Sequence, residues 1–291
     1  MGPGGRVWVE GRSTVVPTIR GSRETDTGRG ENAAPSVARA RGSERMGGRQ
    51  ASARTPPPCE LVLRPERALL REDERLAMSE KIFAVGDIHG CFDKLAAMMK
   101  ILPWNRANGD LLLFIGDYID RGPKSREVVE YLVRLREGGG NFVFLKGNHE
   151  KMLLDYYVHQ KDQMLYVANG GAETIASYVE GGIGRKAFVL PEDHLEFLLG
   201  LQLCYETDDY IFVHAGLRDG IPVSDQSEED MLWIREEFIY SAFDWNKRVI
   251  FGHTALETPF VTPGKIGIDT GAVYGNKLTA LELPRMKFYQ V

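Results

Sequence analysis

The chain has 291 residues, 43% of them hydrophobic, and a formal net charge of −5. That is enough apolar material to bury a core in one large domain or two ordinary ones. No run approaches the ~18 consecutive apolar residues of a membrane span, and three widely spaced cysteines (Cys59, Cys91, Cys204) form neither a disulfide framework nor a zinc knuckle, which fits a reducing, cytoplasmic setting.

Residues 1–77 are rich in Gly, Arg, Ser and Pro and show no helical or strand period, so they read as a disordered extension. The stretch holds 14 Arg, no Lys and 10 acidic residues, a net of +4, leaving −9 for the remainder. A mis-assigned gene start, a true tail and a targeting peptide are the three readings. A secretory signal would need an apolar core, and a transit peptide would be poorer in acids. Mixed charges and scarce aromatics argue against nucleic-acid binding by the tail, and the −9 of the rest gives no hint of it either. Met78 opens "MSEKIFAVGDIHG", the expected start of a compact domain over 78–291.

From Lys81 the pattern becomes regular. "KIFAVGD" reads as a buried strand, and "DKLAAMMKIL" as a helix with Leu95, Met98, Met99 and Leu102 at helical spacing. "DLLLFIGD" is a second buried strand. "SREVVEYLVRL" is an amphipathic helix with Ser125 as expected N-cap, ended by "GGG". "NFVFLKGN" is a third strand and "HEKMLLDYYV" the next helix, giving a β-α-β-α-β unit with a mainly parallel sheet. Residues 160–200 read as a helical insertion with breaks at Gly170, Gly171 and "EGGIG", and Pro191 opens a further helix. This insertion is expected to shape substrate choice. "LCYETDDYIFVHAG" reads as a hairpin and "EEDMLWIREEF" as helical or turn-rich. "RVIFGHT", "KIGIDTG" and "NKLTALEL" are short strands. The class is α/β, with early strands parallel and late ones expected antiparallel.

Five strands end alike, in an apolar run, a small residue, then metal-ligand chemistry. They deliver Asp87 and His89; Asp117, Asp120 and Arg121; Asn148, His149 and Glu150; His214; and His253. A lone histidine at a strand end is ordinarily structural. Here four of only six histidines stand at such ends, which coincidence explains poorly. The other two, His159 and His194, sit in helical stretches and read as surface or packing residues. Sites in open α/β sheets form beyond the carboxyl ends of strands, so the five ends can converge. Imidazole, carboxylate and amide oxygen without thiolate suit manganese, iron or zinc. There are ligands for two ions, with one carboxylate bridging. Asp87 and His89, two apart on an extended segment, would point the same way. Cys91 reads as a small buried side chain rather than a nucleophile.

"GDIHG", "GDYIDRG" and "GNHE", followed by "HAG" and "GHT", resemble the calcineurin-like metallophosphoesterase superfamily. More narrowly they resemble its phosphoprotein phosphatase family of serine/threonine phosphatases, in the bacterial and phage-type branch. The likeness spans about residues 81–291. It implies a central β-sandwich of mixed sheets flanked by helices, with a dinuclear metal site at the strand C-terminal ends. Two divalent ions are implied, manganese first, then iron or zinc. Asp87, His89 and Asp117 would hold one; Asp117, Asn148, His214 and His253 would hold the other. His149 would be the general acid, oriented by Asp120, which would raise the imidazole's affinity for its proton. Arg121 would bind phosphate, with Asn148 beside it. Arg235, in "LWIRE", would by the same resemblance occupy the position of a second phosphate-binding arginine. Tyr274, in "GAVYGN", belongs either at the pocket rim or in the core.

The implied activity is dephosphorylation of phosphoserine and phosphothreonine by direct attack of metal-bound hydroxide. The alternative is a symmetrical dinucleoside tetraphosphate (Ap4A-type) or other small phosphate-anhydride hydrolase on the same scaffold. Asp120 and "GNHE" favour the phosphatase. A non-catalytic scaffold role is disfavoured, since no ligand is missing. The implied partner is a phosphoprotein or phosphorylated small molecule, not nucleic acid or membrane.

Overall fold

The computed structural model describes residues 81–179 and 188–291. The expected N-terminal extension and the "EGGIG" break lie outside these residues. Two five-stranded sheets carry the fold. In the first, β1 (Ile82–Val85), β2 (Leu111–Phe114) and β3 (Asn141–Phe144) run parallel, with β9 (Thr279–Leu283) and β10 (Lys287–Gln290) added antiparallel beside β1. In the second, β5 (Tyr210–Val213), β6 (Arg248–Phe251) and β8 (Lys265–Gly267) run parallel, edged by antiparallel β4 (Cys204–Glu206) and β7 (Phe260–Val261). The β4–β5 hairpin is as expected. The expectation that late strands are antiparallel fails for β5, β6 and β8. Long connections, not tight turns, join these three, and such crossovers return a strand in the same direction.

The short strands show why both sheet faces are buried. Side chains alternate across a strand. Ala84, Leu111, Leu113 and Val143 of the first sheet meet Phe212, Ile250 and Ile266 of the second in a shared core. The intervening Phe83, Val85, Leu112, Phe114 and Phe144 face helices instead. These are α1 (Phe92–Ile101), α2 (Ser125–Glu137) and α3 (Asn148–Tyr157). On the outer face of the second sheet, Ile211, Val213, Val249 and Phe251 pack on Met231 and Phe238 of α7 (Glu228–Trp233) and α8 (Glu236–Ile239). Continuous apolar strands such as "LLLF" are the sequence trace of this double burial.

The insertion contains α4 (Gln163–Tyr166), a π-turn over Val167–Gly171, α5 (Ala172–Tyr178) and α6 (Glu192–Leu199). Gly170 takes φ 98°, as a break there requires. Ser125 is not an N-cap but the first residue of α2, and its hydroxyl accepts the Asp120 N–H at 3.1 Å. His194 is buried between Tyr178 and Glu130 (2.8 and 3.0 Å), a packing role, and His159 is exposed. Cys91 and Cys204 are free thiols whose pKa burial pushes up, so neither is an activated nucleophile. Among the described residues no helix is long and apolar enough to cross a membrane.

Candidate active site

Six parallel strands deliver the site, one more than the sequence pattern suggested. Beyond β1 stand Asp87 and His89, beyond β2 Asp117, Asp120 and Arg121, beyond β3 Asn148 and His149. Beyond β5, β6 and β8 stand His214, His253 and Asp269. All except Arg121 are buried. The β1 and β2 ends are stitched by backbone bonds, with the Ile88 and His89 N–H groups donating to the Asp117 carbonyl at 3.0 and 2.8 Å. Two glycines let carboxylates in: a Cβ on Gly147 or Gly252 would lie 2.1 Å from Asp117 Oδ1 or Asp87 Oδ1.

His89, Asp117, Asp120, Arg121 and His253 all take positive φ, at 46°, 51°, 70°, 66° and 61°. Non-glycine residues rarely adopt this region, and such strain gathers at functional sites. It also overturns the expectation that Asp87 and His89 share an extended segment. A left-handed turn, not strand alternation, aims His89 inward.

The donor set fits divalent cations. Two clusters gather ligand atoms within 4.8 Å of one another: His89, Asp117 and His149, and Asp117, His214 and His253. His89 Nδ1 donates to the Ile119 carbonyl at 2.8 Å and His214 Nδ1 to the Ile115 carbonyl at 2.9 Å. Those bonds fix the tautomers and leave each Nε2 as a lone pair. His214 Nε2 faces Asn148 Oδ1 at 3.0 Å, and His89 Nε2 faces Asp117 Oδ2 at 3.3 Å. Acceptors facing acceptors call for a cation between them. Asp87 Oδ1 and His253 Nε2 are buried with no hydrogen-bond partner, as unused ligand atoms would be.

Electrostatics point the same way. Burial pushes the Asp117 carboxyl up, but His214, His149 and His89 more than reverse this and hold it well below the usual range. Burial pushes Asp87 well up, and the neighbouring Asp269 and Asp117 add to it. Burial lowers His214 and His253, favouring the neutral, ligating form.

His149 Nδ1 lies 2.7 Å from Asp120 Oδ2, as the general-acid assignment needs. Asp120 is fully buried, and its Oδ1 accepts from Tyr166 at 2.9 Å and Thr174 at 2.6 Å. Both partners come from the insertion, which therefore supports this pair. The expected gain in His149 proton affinity is not the net result. Burial lowers its pKa and outweighs the upward pull of Asp117 and Asp120.

Arg121 Nη1 donates to His89 Nε2 at 2.8 Å, and the Arg121 N–H donates to the Gly170 carbonyl at 3.0 Å. Arg235 Nη1 donates to the His253 carbonyl at 3.1 Å, and the guanidinium is near enough to feel Asp117, Asp269 and Arg121. The structure thus brings Arg235 to the cluster. Tyr274 is 57% exposed, with the Arg121 guanidinium 5.7 Å from its ring centroid, which selects the rim over the core.

Four contributors carry roles that the sequence reading does not assign. Asp269 ends "IGID" in the same strand-then-acid pattern and could have been found. Glu150 follows His149 at the third strand end, where the sequence pattern alone gives it no role. Its carboxylate accepts three backbone N–H bonds, from Asp117, Tyr118 and Gly147, at 2.8–2.9 Å. Burial and the nearby Asp117 push its pKa up to about 8. Tyr166 and Thr174 carried no sequence signal.

This fold and these clusters define a metallophosphoesterase, and the chain belongs to the calcineurin-like phosphoesterase family, whose model matches residues 80–261. Among curated relatives is the asymmetrical bis(5'-nucleosyl)-tetraphosphatase PrpE of Halalkalibacterium halodurans. It is 25% identical over 238 residues, 71% of this chain and 92% of the relative. The enzyme of that name from Bacillus subtilis (strain 168) is 28% identical over 231 residues, again 71% and 92%. A solved structure described as a candidate diadenosine tetraphosphatase has TM-score 0.57 at 24% identity, covering 73% of this chain and 93% of that one. A mutant cold-active protein tyrosine phosphatase has TM-score 0.51 at 18% identity, covering 72% and 77%. These structural likenesses bear on the fold alone.

Proposed function

We propose that the chain is a divalent-metal-dependent hydrolase that cleaves a phosphate anhydride in dinucleoside tetraphosphates. The observation that carries this reading is that both curated relatives bear that name while aligning over 92% of their length. It favours the alternative reading of the sequence over protein dephosphorylation, with asymmetrical in place of symmetrical cleavage.

In this reading Asp87, His89 and Asp117 hold one ion, and Asp117, Asn148, His214 and His253 hold the other. Manganese suits these oxygen and imidazole donors. Ions bound there supply Lewis acidity towards water and phosphoryl oxygens. Arg121 and Arg235 bind the phosphate chain through their planar donor forks, and Tyr274 steadies Arg121 from below. Asn148 also borders the phosphate. His149 carries the proton for the departing oxygen at Nε2 while Asp120 holds Nδ1–H and fixes the ring. The shared carboxylate can be tested directly. Asp117→Asn is expected to drop metal content from two ions per chain to fewer than one, read by elemental analysis after dialysis. Hydrolysis should fall by at least ~100-fold with it.

A second reading, phosphoserine or phosphothreonine hydrolysis, is favoured by the close Asp120–His149 pair, because an alkoxide leaving group needs its proton most. Product analysis separates the readings. Diadenosine tetraphosphate should give equimolar ATP and AMP. Two ADP would mean symmetrical cleavage. Turnover of a phosphopeptide well above that of the dinucleotide would overturn the reading.

A further inference from the structure

Beside the ligand cluster a cavity of about 440 Å³ opens between α3, α4 and α7. This is within the size range of small-molecule sites, about 300–1,000 Å³. Its walls stand one step from the reactive groups. Tyr166 lines it and bonds Asp120. Trp233 lines it and stands edge-on to His253, with ring centroids 6.1 Å apart. Met152 lines it from the helix that begins with Asn148 and His149.

The lining has two characters. Exposed Leu165 and half-buried Trp233 offer apolar and aromatic surface over the buried Met152 and Tyr166, whereas Asp155, Asp162, Glu228 and Glu229 add four carboxylates against the single cation of Lys151, itself paired with Asp155. Arg121 and Arg235 are not part of it. A polyphosphate is repelled from such a pocket and drawn to the arginines and the metal ligands. An uncharged group with a flat apolar face and several N–H and O–H donors suits it instead. A nucleoside has these features: the base can stack on aromatic rings, and the ribose hydroxyls and base amine can donate to carboxylates.

We propose that this pocket is a nucleoside subsite, which takes one base and ribose of the substrate while the phosphate chain lies over the ligand cluster. The proposal rests on the dinucleotide reading above and assigns its specificity to the insertion.

The test is calorimetric binding of AMP and of inorganic phosphate to the full chain loaded with manganese. AMP is expected to bind at least ~10-fold more tightly than phosphate, a gain a hydrophobic pocket readily provides. Leu165→Asp should erase most of that advantage while its melting temperature stays with the wild type. Leu165→Ala should erase part of it. Equal binding of AMP and phosphate by the wild type would overturn the subsite, as would an AMP advantage untouched in Leu165→Asp. So would a larger loss for a phosphopeptide with basic flanking residues than for AMP, since the carboxylates would then serve a peptide. A wild type that cleaves no diadenosine tetraphosphate yet keeps the AMP advantage would sink the proposed function and leave the subsite standing.

Discussion

His149→Ala is expected to slow hydrolysis of an alkyl phosphomonoester by ~10²–10⁴-fold, the usual range for a general acid. For diadenosine tetraphosphate the loss should be much smaller, on the order of 10-fold, because a departing phosphate oxygen is far less basic than an alkoxide and needs less proton donation. Metal content should remain near two ions per chain. That last measurement is decisive because His149 also clusters geometrically with His89 and Asp117. If His149 were a ligand, its loss would release metal and slow both substrates alike. The 2.7 Å contact of Nδ1 with Asp120 argues for the proton role. Steady-state kinetics on both substrates, with elemental analysis of the same samples, reads all three outcomes.

Glu150→Ala is expected to be the most destabilising single change at the site, by about 3–5 kcal/mol. The carboxylate accepts from the backbone at Asp117 and Tyr118 on one loop and at Gly147 on another, all within 2.8–2.9 Å. Removing it strands three N–H groups in a site where Glu150 itself is fully buried. For a chain of this size the melting temperature should fall on the order of 10 °C. Glu150→Gln keeps one acceptor oxygen and should lose less. A melting curve for the alanine variant that overlays the wild type would show that water replaces the carboxylate without cost.

The buried His and Asp cluster was legible because metal chemistry needs particular residue types, and the sequence has few histidines to spend elsewhere. His89, His214 and His253 could be placed from the strand ends alone. The parallel run of β1, β2 and β3 followed from their alternation with helices. The direction of β5, β6 and β8 did not, because short strands with irregular connections carry no mark of direction. Tyr166 and Thr174 were illegible for a different reason. Each is an ordinary helix residue in sequence, and only the packing of the insertion against the Asp120 loop gives it a partner 46 or 54 positions away. Ser125 had the composition of a cap, yet its hydroxyl was drawn to Asp120 and Thr174. Burial likewise outweighs the upward pull on His149 of Asp120, the partner that the family resemblance implied and that the structure places beside it.

The five non-glycine residues held at positive φ set the site against the fold that carries it. Each such residue costs about 1 kcal/mol or more, so together they take several kcal/mol from a margin of ~5–15 kcal/mol. Selection for thermal robustness that ignored catalysis would therefore turn first to these positions, where glycine or asparagine relieves the backbone. The chain it produced would be sturdier and inert, and its sequence would have lost the charged residues of "GDYIDRG" before it lost any of the core.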